Sequence, residues 1–155
     1  EALREYQRLF LGDTQGEALR LRREAALQAL EFFDRFRPRL VGRVLDGTAD
    51  AHTPVALHLH ADDPDEVARF LADAGIPGEA SWRHVRLDRV RERDAPVWVF
   101  SADGLAFDLT VLPLDTLRQA PLSGIDERPM PRASASQLRE LLAEGEVAAF
   151  EAAGG

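Results

Sequence analysis

The chain has 155 residues, is 45% hydrophobic and 30% charged, and sets 19 Lys+Arg against 27 Asp+Glu for a net charge of −8. That is the size of one ordinary domain and too apolar for intrinsic disorder, and so acidic a balance argues against nucleic acid as a partner, since phosphate binding draws on basic side chains. Every Lys+Arg residue is in fact Arg, and Lys, Cys and Asn are absent, which excludes a Walker A loop, a Schiff-base lysine, disulfides, thiolate zinc sites and a cysteine nucleophile.

In chain order, Leu3, Tyr6, Phe10 and Leu11 form a short helical stripe that Gly12 should stop. Thr14 and Glu17 have capping-box spacing and predict the start of a second, long helix. Ala26, Ala29, Leu30 and Phe33 would form its buried stripe, with Ala25, Phe32 and Phe36 beside it, and Pro38 its end. Arg39 to Leu45 reads as a strand and Val55 to His60 as another, the latter alternating between a greasy face and a small or polar one. Asp63-Pro64-Asp65-Glu66 opens a helix with an Asp cap and Pro in first position, and Gly75 to Gly78 closes it. Strands are expected over Trp82 to Leu87, Val97 to Phe100 and Ala106 to Leu112, the last two joined by a hairpin turn at Ala102-Asp103-Gly104. Pro113 to Gln119 predicts a short helix, Pro121 to Pro131 a connector, and Ser134 with Gln137 the start of a tail helix.

The fold class expected is therefore α+β (or α/β): a mixed sheet of about five strands packed by helices, with helical flanks. The chain reads as one domain over 1–155, with N-terminal helices in 1–36, the core in 37–113 and a helical tail in 114–155. No apolar run approaches the length of a membrane span, so no membrane association is expected and the location expected is cytoplasmic. Glu1 in first place is read as lying downstream of the native start.

The stretch from Leu40 to Leu59, with Gly42, Arg43, Pro54 and Ala56, and the strand Phe107-Asp108-Leu109-Thr110-Val111 resemble the signature of the nucleotidyltransferase superfamily. There a strand ends at Gly-Ser or Gly-Gly, a loop leads to a strand bearing Asp-x-Asp, and a third carboxylate comes from a neighbouring strand. The resemblance covers roughly Leu30 to Pro113, and the flanking helices are similar to those of a small uncharacterised bacterial family of this fold with a degenerate active site. Some of its members carry a label as a UDP-N-acetylmuramate–alanine ligase, an activity that needs a lysine-bearing ATP loop and several domains. Where the superfamily places its two Asp residues, this chain has Pro54 and Ala56, neither with a side-chain oxygen; Asp108 looks like the third carboxylate. Two-metal phosphoryl transfer needs all three, so Mg²⁺ and other cofactors are not expected. Arg43 stands where a small residue would let phosphates approach the backbone.

The degenerate pocket is expected to be formed by Gly42, Arg43, Pro54, Ala56, His58 and Asp108, with Asp108 and His58 its only catalytic candidates. His58 and His60 share the face of Ala56 and could hold a transition metal or form an acid–base pair with Asp108. The plainer expectation is that His58 hydrogen-bonds Asp108 inside a vacated cleft, with His60 near solvent. Asp62, Asp63, Asp65 and Glu66 are explained by helix capping. Arg83, Arg86, Arg89, Arg91 and Arg93 alternate with acids and read as a salt-bridged edge strand. Trp82 and Trp98 are expected to pack the sheet against the long helix.

The function expected is a catalytically inactive binding or interaction module, working as a homodimer or with a protein partner, with a nucleotide or other small ligand left open. The alternatives are a divergent metal-dependent nucleotidyltransferase and, from the resemblance, a toxin–antitoxin-type component with a helical partner.

Overall fold

The structure is a computed structural model that describes residues 2–154, with side chains described for 16–145. Its centre is a five-stranded mixed sheet in the order β1-β2-β5-β4-β3, formed by β1 (Arg39–Val41), β2 (Val55–His60), β3 (Glu79–Arg86), β4 (Glu92–Ala102) and β5 (Leu105–Leu112). β2 and β5 run parallel, and every other neighbouring pair is antiparallel. The helices are α1 (Ala2–Phe32), a one-turn α2 (Arg43–Asp46), α3 (Pro64–Asp73) and α4 (Ala135–Gly154). The class is α+β, and the order helix, strand, Gly turn, strand, with the Asp-bearing strand beside it, is the one the resemblance implies. Among the described residues no helix is long and apolar enough to cross a membrane.

The greasy face of the sheet carries Leu40, Val55, Leu57, Leu59, Phe107, Leu109 and Val111. It is buried against Ala26, Ala29, Leu30 and Phe33 of α1, Val67 and Leu71 of α3, and Leu138 of α4. These are the positions that 3.6-residue and two-residue periodicity assign, because burying the apolar stripe of each element stabilises the assembly by about 25 cal/mol per Å².

The caps follow the sequence. The Asp63 carboxylate accepts from the Asp65 backbone N–H at 3.0 Å, with Pro64 at the first position of α3. Ser134 and Gln137 form a reciprocal box at 2.8 and 3.3 Å. Asp103 and Gly104 both have positive φ (52° and 80°), the signature of the type I′ turn whose twist suits a two-residue hairpin.

Four expectations need correction. One helix runs where two were expected: an interior Gly costs about 1 kcal/mol relative to Ala and does not by itself stop a helix. Thr14 falls inside that helix, and the side chains of Leu3, Tyr6, Phe10, Leu11 and Thr14 lie outside those described. The strand expected over Arg39 to Leu45 ends at Val41, because Gly42 takes φ 79° and ψ −155°, a conformation essentially reserved for glycine, and turns the chain into α2. Trp82 does not pack against α1; it is 71% exposed on the sheet's outer strand, while Trp98 is half-buried against the core. The segment after Pro113 makes only a 3₁₀ turn over Leu114–Leu117.

Candidate functional site

The second face of the sheet is the one α1 leaves uncovered. Strand register places Val41 opposite Ala56, Ala56 opposite Asp108, and Asp108 opposite Val99, a row that crosses β1, β2, β5 and β4. The next row runs from Arg39 through His58 and Thr110 to Val97. The connector after Gln119 folds back over this face. Leu122 donates its N–H to the Arg86 carbonyl at 2.9 Å, Met130 donates to Pro121 at 2.8 Å, and Leu122 bridges Pro129. Sheet and connector enclose a cleft of about 530 Å³, lined on the sheet side by Gly42, Ala56, His58, Arg83, Asp108 and Thr110 and on the connector side by Leu122, Gly124 and Met130.

Asp108 does not meet His58 through a hydrogen bond. Both of its oxygens are taken by Arg83, which reaches across β4: Nη1 donates to Oδ1 at 3.0 Å and Nη2 to Oδ2 at 2.7 Å. Arg83 Nη1 also donates to Thr110 Oγ1 at 2.7 Å. The fork-to-fork geometry is the strong form of a carboxylate–guanidinium pair, and the bond to Asp108 holds the Arg83 guanidinium charged, above its ordinary range. Sequence reading missed this contact because it placed Arg83 in a self-satisfied edge strand. That account holds for Arg86 with Glu92 and Glu127, and for Arg91 with Asp88 and Asp115, but not for Arg83.

His58 is 7% exposed, and its Nδ1 has no hydrogen-bond partner among the described residues. Burial, with lesser contributions from His60, Arg132 and Arg83, pushes its pKa down to about 4 against a weaker opposing pull from Asp108. The expectation that His60 lies near solvent is corrected: it is 1% exposed, and its Nδ1–H donates to the Arg37 carbonyl at 2.7 Å. A carbonyl can only accept, so Nε2 carries the lone pair, and it too is buried and without a partner among the described residues. Burial takes the pKa of His60 down to about 4 as well, partly offset by the bond to Arg37.

Arg43 and Pro54 stand apart from the cleft lining. Arg43 turns toward the loop after α2, where Nη2 donates to the Thr48 carbonyl at 2.6 Å and lies 3.6 Å from Asp50. Pro54 is exposed and precedes the first residue of β2. His84 lines the cleft rim and contacts Glu92 and Asp94; His52 is exposed in the loop.

Two further arginines, unremarked in the sequence, fix the approach to the site. Arg22 of α1 is buried and donates to the Thr53 carbonyl at 2.8 Å, to Ala51 at 2.6 Å and to Ala18 at 3.2 Å. Arg23 donates to the carbonyls of Val44 and Leu45, each at 2.9 Å. Together they tie α2 and the loop before β2 to the long helix. A basic residue on an otherwise apolar stripe was the available signal.

The donor set does not fit the pair of Mg²⁺ ions that the sequence resemblance implies. Ala56 brings no oxygen to the position opposite Asp108, Pro54 brings none nearby, and both oxygens of Asp108 already accept from Arg83. Among the described residues no group of three His, Cys, Asp or Glu could hold a metal ion.

No family model and no curated protein matches the chain. A solved structure concerned with the activity of a cytoplasmic RNA terminal U-transferase is similar over 69% of this chain and 33% of that one, at 17% identity and a TM-score of 0.45. The chain thus spans about a third of that protein's length, and a likeness so distant carries no functional argument.

Proposed function

We propose that the chain is a nucleotidyltransferase-like module that performs no nucleotidyl transfer and works by binding. The observation that carries this is the bidentate hold of Arg83 on Asp108, directly across from Ala56. Metal-dependent transfer requires several carboxylate oxygens free to bridge two ions and a triphosphate. Here one carboxylate remains and a cation of the protein's own already neutralises it. Protein association belongs to the same proposal: α1 leaves Leu21 and Phe32 about half exposed, a surface suited to a second copy or a helical partner.

The test is calorimetry with ATP, CTP, GTP and UTP in the presence of Mg²⁺ or Mn²⁺, with Asp108→Ala as control. No metal-dependent binding is expected. Micromolar, metal-dependent binding abolished by Asp108→Ala would overturn the proposal and restore the enzyme reading. Light scattering across concentrations tests the association: a stable monomer, with no partner recovered from cells, would count against it.

A further inference from the structure

We propose that the cleft beneath the 121–130 connector binds a small, uncharged and predominantly apolar molecule that carries one hydrogen-bonding group, met by His58. This rests on the non-catalytic role proposed above and assigns its ligand class.

The volume, about 530 Å³, lies in the range of small-molecule sites. Much of the wall is apolar, supplied by Val41, Ala56, Val85, Leu122 and Met130. The charges at its edge satisfy one another: Arg83 is bound to Asp108, and Arg86 donates to Glu127 at 3.0 Å. A charged ligand would have to displace one of these pairs or enter a largely apolar space uncompensated, and an uncompensated buried charge is costly. An uncharged ligand meets neither obstacle.

The polar anchor is His58. Its ring lines the cleft, is more than nine-tenths buried and has a nitrogen, Nδ1, with no hydrogen-bond partner among the described residues. Buried polar atoms are seldom left in that state, and a ligand group is one way of completing them. Burial keeps the imidazole neutral at ordinary pH, so it offers one donor and one acceptor and no charge. Ala56 supplies the room: where the resemblance implies an Asp, a methyl group leaves space beside Asp108.

The experiment titrates the full chain with phenol, toluene, benzoate and inorganic phosphate and follows backbone and histidine ring resonances by NMR. Phenol is expected to bind, with shifts concentrated at Ala56, His58, Thr110, Leu122 and Met130. Benzoate and phosphate should bind at least about tenfold more weakly, the cost of an uncompensated charge. His58→Phe should weaken phenol about fivefold, the value of one neutral hydrogen bond, and leave toluene unchanged. Should that variant fail to fold, Ala56→Leu, at a half-buried wall position, should weaken both probes by crowding the space beside His58. Phenol shifts scattered over the surface, no phenol binding, or benzoate bound in the cleft as tightly as phenol would each overturn the ligand class. None of these outcomes would touch the absence of nucleotidyl transfer, whereas Asp108-dependent binding of Mg²⁺–nucleotide would overturn that and leave the phenol result standing.

Discussion

Arg83 and Asp108 sit on strands separated by β4, yet the guanidinium grips both carboxylate oxygens, at 3.0 and 2.7 Å. Asp108 is 16% exposed and Arg83 49%, so the pair is a rim contact rather than a buried one. Its coupling should accordingly be modest, about 1 kcal/mol. A double-mutant cycle of Arg83→Ala and Asp108→Ala in urea denaturation measures it; zero coupling would mean the fork is held by packing alone.

Arg22→Ala should be more damaging than its chemistry suggests. The buried guanidinium satisfies the carbonyls of Thr53 and Ala51, and hydrogen bonds from charged donors are worth about 1.5–3 kcal/mol each in favourable cases. A loss of at least about 2 kcal/mol is expected, together with faster amide exchange across residues 48–54. Unchanged exchange in that loop would show that the clamp is redundant.

Gly42→Ala tests the turn that ends β1. Space is not the obstacle, since an added Cβ would meet only the Ala56 Cβ at 3.7 Å. The obstacle is φ 79° with ψ −155°, so the substitution should cost about 1–3 kcal/mol of backbone strain. A neutral result by thermal or urea unfolding would mean the chain can re-route between β1 and α2.

The two buried histidines give a pH signature. Each has an ordinary pKa of 6.5 and a folded value of about 4, so between those values the unfolded chain holds protons that the folded chain refuses. Stability is therefore full above about pH 6.5 and falls as the pH drops toward 4, by up to about 3 kcal/mol for each group. Arg83, Arg132 and His60 around His58, and Arg132 with Arg39 around His60, oppose protonation; Asp108 is the acid that favours it at His58. Urea midpoints measured from pH 7 down to 4.5 should decline. In His58→Phe the decline should be shallower, and a flat profile for the native chain would show that both rings titrate normally.

What could be read from the sequence is what depends on near neighbours. Val55 to His60 announces its two faces by alternation, Asp63-Pro64 announces a helix start, and Asp103-Gly104 a hairpin, because each choice is settled within a few residues. By hydrophobic pattern Gly42 reads as one more strand residue, since its φ leaves no trace there; only the resemblance implies a turn at that position. The burial of His60 depends on the Arg37 carbonyl arriving from another part of the chain. The pairing of Arg83 with Asp108 requires knowing that β3 and β5 flank the same strand, a fact of register rather than of composition. His58 was placed on the correct face but given the wrong neighbour for the same reason.

The parallel seam between β2 and β5 has a consequence for how the chain comes together. β3, β4 and β5 follow one another along the chain and pair as a meander, closing short loops, whereas β2 meets β5 only across all the intervening chain. Loop-closure entropy favours the local pairings first, so the expected order has Asp108 already clasped by Arg83 when β2 docks. The incoming strand then meets a neutralised edge rather than a bare carboxylate. Register at that step is enforced by the alternation itself: a slip of one residue would turn Leu57 out of the core toward the cleft and His58 into the core beneath α1.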